Sequence, residues 1–264
     1  MTGWRSRLGQ LTDLATVGAL GTLGYLALVV APPDAVQGDA QRLMYLHVPV
    51  AWLAYLSFGV TALASLLYLV PATRSLRWDL LAGASAEIGV VFTGLTILLG
   101  SIWARPVWGV WWTWDARLVT TAVLFFLFLG YLALRQVPAA PHVRARRAAV
   151  AGLVAVTDVP VVHLSVIWWR TLHQQPTVLN PELNPQIHGV MATTLLWGVV
   201  AFTLLYVTLL RHRYRLAGLE EQREELLLHQ AVLERRGIAA DPLVPVLSDA
   251  QSLPDTQTLS EAQR

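Results

Sequence analysis

Six uninterrupted apolar stretches run along this 264-residue chain: Leu14 to Ala31, Val48 to Val70, Leu80 to Ser101, Leu118 to Leu134, Ala148 to Trp168 and Ile187 to Leu210. A run of ~17 to 25 apolar residues matches the ~30 Å of hydrocarbon in a bilayer. Inside that layer only helices and closed barrels satisfy every backbone N–H and C=O. The pattern therefore predicts an all-α integral membrane protein with six transmembrane helices. Composition agrees, since 55 % of the residues are hydrophobic and only 14 % charged, a balance that excludes an ordinary soluble core. The first stretch is too long for a signal peptide and meets Pro32 and Pro33 without a small-residue cleavage site, so it is expected to stay as a helix.

Arginine placement predicts the orientation, because flanking positive charge stays on the cytoplasmic side. The N-terminus (Arg5, Arg7), the second loop (Arg74, Arg77), the fourth loop (Arg135, Arg144, Arg146, Arg147) and the start of the tail (Arg211, Arg213, Arg215, Arg223) form one group of twelve. The first, third and fifth loops hold four: Arg42, Arg105, Arg117 and Arg170. Both termini are thus predicted to be cytoplasmic, in a plasma (inner) membrane, with the odd-numbered loops outside. The organisation expected is a six-span membrane domain over 1–215 and a cytoplasmic amphipathic helix over 216–236, where leucines mix with Glu220, Glu221, Glu224 and Glu225. Residues 237–264, rich in Pro and small polar residues, are expected to form a disordered tail. No nucleic-acid partner is expected.

The third loop, about 102–117, is the least ordinary segment. Five of the eleven tryptophans fall between Trp103 and Trp114 (Trp103, Trp108, Trp111, Trp112, Trp114), followed at once by Asp115 and Arg117. Trp168 and Trp169 add two more near the fifth loop. Tryptophan offers a large flat apolar face and one N–H donor, which suits a membrane interface or a flat aromatic ligand. An interfacial belt alone should populate both faces, and only Trp4 and Trp78 lie near the inner one.

Imidazole is the one side chain here suited to a soft or borderline metal, because the chain has no cysteine. His142, His212 and His229 fall among arginines or glutamates in cytoplasmic segments and read as solvated. His47 stands at the outer entrance of the second span, with Pro49 placed for a first helical turn, and His173 lies just past the outer end of the fifth. At the same membrane level and flanking the tryptophans, they are a candidate axial pair for a haem iron; the plainer alternative is two interfacial histidines. His163 and His188 are weaker candidates. Glu87 and Asp158, inside spans, are expensive in lipid and should face the bundle interior, as pathway residues or as hydrogen-bonded structural groups.

The stretch Gly100 to Leu118 (GSIWARPVWGVWWTWDARL), with Tyr45 to Trp52 (YLHVPVAW) and Trp168 to Gln174 (WWRTLHQ), resembles the tryptophan-rich WWD motif of haem-handling membrane proteins. With six spans, the resemblance is to the haem exporter protein C (cytochrome c biogenesis protein C) family of the system I maturation pathway, and it covers roughly Leu14 to Leu210. It implies a non-enzymatic protein that holds haem b, transiently and without a covalent bond, against the external WWD surface with His47 and His173 on the iron. It also implies delivery to the haem chaperone cytochrome c biogenesis protein E. Alongside would work an ATP-binding cassette pair, cytochrome c biogenesis proteins A and B, and the small cytochrome c biogenesis protein D.

A porphyrin wants flat apolar faces, two imidazoles and a cation for its propionates. The tryptophans offer the faces, and Arg105, Arg117 and Arg170 the cations. Asp115 is better placed to cap or orient the loop at the start of the fourth span. The runner-up is a transporter moving haem through the bundle, and a third reading makes the tryptophans a structural anchor.

Overall fold

The computed structural model describes residues 2–173 and 187–235, with no side-chain description before Arg7. All seven α-helices among them are built from the apolar stretches: α1 Thr2–Tyr25, α2 Met44–Leu69, α3 Leu76–Trp108, α4 Ala116–Gln136, α5 Pro141–Val156, α6 Asp158–Trp168 and α7 Gly189–Arg235. Six helical segments are long and apolar enough to cross a membrane, α5 and α6 together making one of them. The chain is a multi-pass membrane protein. By internal contacts it divides into Met1–Ala217 and Gly218–Arg264. The tail expected to be disordered, 237–264, lies outside the described residues, and the helix expected over 216–236 is the continuation of α7 as far as Arg235.

Three helix boundaries differ from those predicted, each for a local reason. α3 runs past Ser101 to Trp108 and stops where Gly109 takes φ +77°, a left-handed cap that closes on the Arg105 carbonyl at 3.1 Å. Trp103 and Trp108 therefore stand on a helix, and the loop shortens to the residues between Gly109 and Asp115. The fifth span breaks at Thr157, two residues before Val159–Pro160. Pro160 has no N–H for the Val156 carbonyl, and the Thr157 hydroxyl turns back to the Val154 carbonyl at 2.7 Å. A 3₁₀ turn over Asp39–Leu43 leads directly into α2, so Pro49 lies inside that helix rather than in its first turn. The Tyr45 carbonyl loses its usual donor there, and Gly198 of α7 fits against it: a Cβ at 198 would stand 2.7 Å from Pro49 Cγ and 3.3 Å from that oxygen.

Close approach through small residues sets the packing, as lipid-embedded helices require. Gly89 of α3 receives the Phe58 ring of α2, which stacks on Phe128 of α4 with centroids 3.7 Å apart. Ser85 bridges α2 and α7, bonding the Ser57 carbonyl and the Tyr206 hydroxyl, both at 2.7 Å. Two acids of α3 are paired: Asp79 receives both ends of the Arg135 guanidinium at 2.5 and 3.1 Å, and Glu87 is gripped bidentately by Arg213 of α7. The start of α2, the end of α3, the start of α4 and the end of α6 meet at one end of it.

Candidate haem site

At that end the sequence builds a cavity around two imidazoles. His47 enters from the first turn of α2. Its ring lies over Gly100 of α3, where an added Cβ would come within 3.0 Å of the imidazole Cε1, so only glycine leaves the ring room. Trp103, one turn further along α3, meets the same ring edge-to-face at 5.7 Å. Its indole N–H bonds Gln37 Oε1 at 3.0 Å, tying the first loop to the helix.

His173 arrives on a loop, and Asp115 holds that loop. The Asp115 carboxylate caps α4 by accepting the Arg117 N–H at 2.9 Å and accepts the Leu172 N–H at 2.6 Å. It also stands 3.4 Å from His173 Nδ1, beyond a good hydrogen bond but close enough to favour the proton on that nitrogen and leave Nε2 as an electron-pair donor. Trp108 packs its ring edge-to-face against His173 at 4.9 Å. Burial, with the positive charge of Arg117, lowers the His173 pKa from 6.5 to about 4 despite the opposing pull of Asp115, so the imidazole is neutral at physiological pH.

Two adjoining cavities share His47, Gly100, Trp108, Arg117 and His173 as walls. The inner one, about 700 Å³ of empty space, continues along α2 and α3 past Tyr55 and Thr93 and is also bordered by Trp112. The outer one, about 880 Å³, is bordered by Gln37, Trp103 and Leu172. Arg117 is anchored by one N–H on the His163 carbonyl at 3.0 Å, and its buried Nε has no hydrogen-bond partner.

The predicted residues divide on this geometry. His47, His173, Trp103, Trp108, Trp112 and Arg117 line the cavities, with Asp115 behind them. Trp111, Trp114, Trp168 and Trp169 stand apart from them, each at least half exposed. Arg105 bonds the Gly109 carbonyl, and Arg170 lines a shallow outer hollow with Trp114 and Asp115. His188 and the acids Glu87 and Asp158 line neither cavity. Sequence reasoning missed Gly100, Gln37, Tyr55 and Thr93. Gly100 opens the tryptophan-rich stretch, but its role is visible only once α2 is laid against α3.

Residues 3–229 match the model of the family described as heme exporter protein C. The chain belongs to that family. It is 42 % identical over 187 residues to the heme exporter protein C of Bradyrhizobium diazoefficiens, covering 71 % of this chain and 70 % of that protein. It is 36 % identical over 215 residues to the Haemophilus influenzae protein of the same name, covering 81 % and 86 %. With the Escherichia coli heme exporter protein C it shares 35 % over 223 residues, covering 83 % and 85 %. The stretch matched by the family, 3–229, includes every residue that lines the two cavities.

Proposed function

We propose that this protein takes part in cytochrome c biogenesis by holding haem b at the outer membrane surface and passing it on. His47 and His173 serve as the two axial ligands, the indoles of Trp103, Trp108 and Trp112 contact the ring, and Arg117 pairs with a propionate. The observation that carries the proposal is the convergence of two imidazoles from distant parts of the sequence on one pair of cavities, beside the half-buried guanidinium of Arg117. The donor set fits the cargo: neutral imidazole suits haem iron, the buried Nδ1 of His47 and Nε of Arg117 have no hydrogen-bond partner, and Asp115 beside His173 Nδ1 leaves that ring's Nε2 to donate. With no cysteine the chain makes no thioether bond, so haem is held without covalent attachment and can leave.

In this reading the role is delivery rather than catalysis. The recipient is the haem chaperone cytochrome c biogenesis protein E, with the ATP-binding cassette pair, proteins A and B, and the small protein D of the same system alongside. The membrane is the plasma (inner) membrane, with both termini cytoplasmic as the arginine asymmetry favours. The test is the absorption spectrum of the detergent-purified protein. Wild type gives the sharp reduced-state bands of a bis-imidazole haem, and His47→Ala and His173→Ala each alter them. Unchanged bands in both variants and in the double variant would overturn the ligand assignment.

A further inference from the structure

The opposite end of the bundle carries a second groove, about 1140 Å³ of empty space, that the haem reading does not use. It lies beside Leu69, about 33 Å along α2 from His47 at 1.5 Å per residue, one bilayer thickness away. Its polar side is Arg74, His142, Arg146 and Arg147. Leu69, Val143 and Val150 make an apolar wall, and Val143 and Val150 are 58 % and 50 % exposed.

The α5 members, His142, Val143, Arg146, Arg147 and Val150, recur at a spacing that puts them on one helix face. Val150 sits one turn deeper along α5 than Arg146, so the apolar wall begun by Leu69 and Val143 continues inward past the cations. Two of the guanidinium groups are fixed by carbonyls that hold the charge without cancelling it. Arg74 donates to the Tyr68 and Leu69 carbonyls at 3.3 and 3.1 Å, and Arg147 to the Leu134 and Val137 carbonyls at 2.9 and 2.8 Å. Among the described residues no carboxylate lines this groove, and Asp79, the nearby acid, is engaged by Arg135 and Arg144.

Three positive charges over an apolar wall, at the end of membrane-spanning helices, match an amphiphile with an anionic head. We infer that the groove binds an anionic phospholipid of the arginine-rich leaflet, its phosphate among Arg74, Arg146 and Arg147 and an acyl chain along Val143 and Val150. A free phosphate would use the cations and leave the apolar wall bare. Basic grooves between membrane helices hold acidic headgroups in this way.

The test is native mass spectrometry of the full-length, delipidated protein titrated with phosphatidylglycerol or phosphatidylcholine. Wild type should retain phosphatidylglycerol more tightly. Arg146→Gln, a change at an exposed position, should weaken that binding about fivefold and leave phosphatidylcholine unaffected. Arg77→Gln, which removes the same charge at the same membrane end but outside the groove, should change neither. Val150→Trp, which fills the trough without altering charge, should also weaken phosphatidylglycerol. Equal affinity for the two lipids, an equal loss in Arg77→Gln, or displacement of the lipid by inorganic phosphate or by haemin at comparable concentration would each overturn the inference. Since His47 and His173 are untouched, the haem spectrum of Arg146→Gln should match wild type, so a failure here is separable from a failure at the haem site.

Discussion

Asp115 is the residue on which the proposed site turns, although it is the member of the tryptophan-rich stretch least suited to touching a porphyrin. Its carboxylate joins three things: the first turn of α4, the backbone at Leu172 and the ring of His173. Asp115→Ala removes the cap, at about 1 kcal/mol, and strands the Leu172 N–H, at about 1 to 3 kcal/mol. Together these come to about 2 to 4 kcal/mol, borne mainly by the loop that places His173. If that loop must close before the iron is ligated, haem affinity should fall roughly thirtyfold to a thousandfold. Asp115→Asn can keep the cap through its remaining oxygen and give up one acceptor, so it should fall between wild type and Asp115→Ala. Haemin titration of the apoprotein, followed by absorption, reads the affinities, and far-UV circular dichroism checks that the helices persist. Wild-type affinity in Asp115→Ala with intact helices would refute the idea that this carboxylate positions the ligand.

The acid limb of haem retention tests the His173 environment. Its imidazole titrates at about 4 in the fold against 6.5 when exposed, so the unfolded chain takes up the proton first. The stability this group contributes is complete above 6.5 and lost as pH falls towards about 4. Haem competes with the proton for the folded imidazole, so retention measured by spectroscopy should hold through mildly acidic pH and fail only near 4, and a midpoint near 6.5 would contradict the burial. Gly100→Ala gains helix propensity of about 1 kcal/mol but forces the His47 ring to shift. Thermal stability should stay near wild type while the haem spectrum changes, and an unchanged spectrum would count against the His47 placement. Glu87→Gln removes the charge that Arg213 grips, and Asp158→Asn neutralises a buried oxygen that has no hydrogen bond. Both should leave haem content intact, and a loss restored by adding haem from outside would favour transport through the bundle instead.

The number of spans and their helical type were legible in the sequence because spanning a bilayer leaves the chain few alternatives. Boundaries were less so. Hydropathy ends the third span at Ser101, and Pro106 withholds an N–H from the Ile102 carbonyl, yet α3 runs through it to Trp108 and stops only at the Gly109 cap. The break at Thr157 comes with Pro160 in an otherwise continuous apolar run, where hydropathy gives no sign of it. At the site, His47, His173, Trp108 and Arg117 could be picked out as residue types at one membrane level. Gly100 and Gln37 could not, since one acts by lacking a side chain and the other through a contact 66 positions away.

The seven tryptophans between Trp103 and Trp169 divide into two sets with different physical work. Trp103, Trp108 and Trp112 line the cavities and pack edge-on against histidines or, for Trp112, against Trp114 at 6.0 Å. Trp111, Trp114, Trp168 and Trp169 are each at least half exposed, Trp114 being 85 % exposed. Density in the sequence therefore does not translate into density around one ligand. Of Trp103 and Trp108, one fixes the first loop through Gln37 and the other braces the ring of His173, so those two pre-organise the ligands. The exposed four remain available to the bilayer interface or to whatever approaches the cavity from outside. A cargo site that must both hold and release gains from this division, because the groups that set ligand geometry are distinct from those that meet the surroundings. Asp115 lies at the seam between the two sets, which is why a carboxylate that need not touch haem should govern how well haem is held.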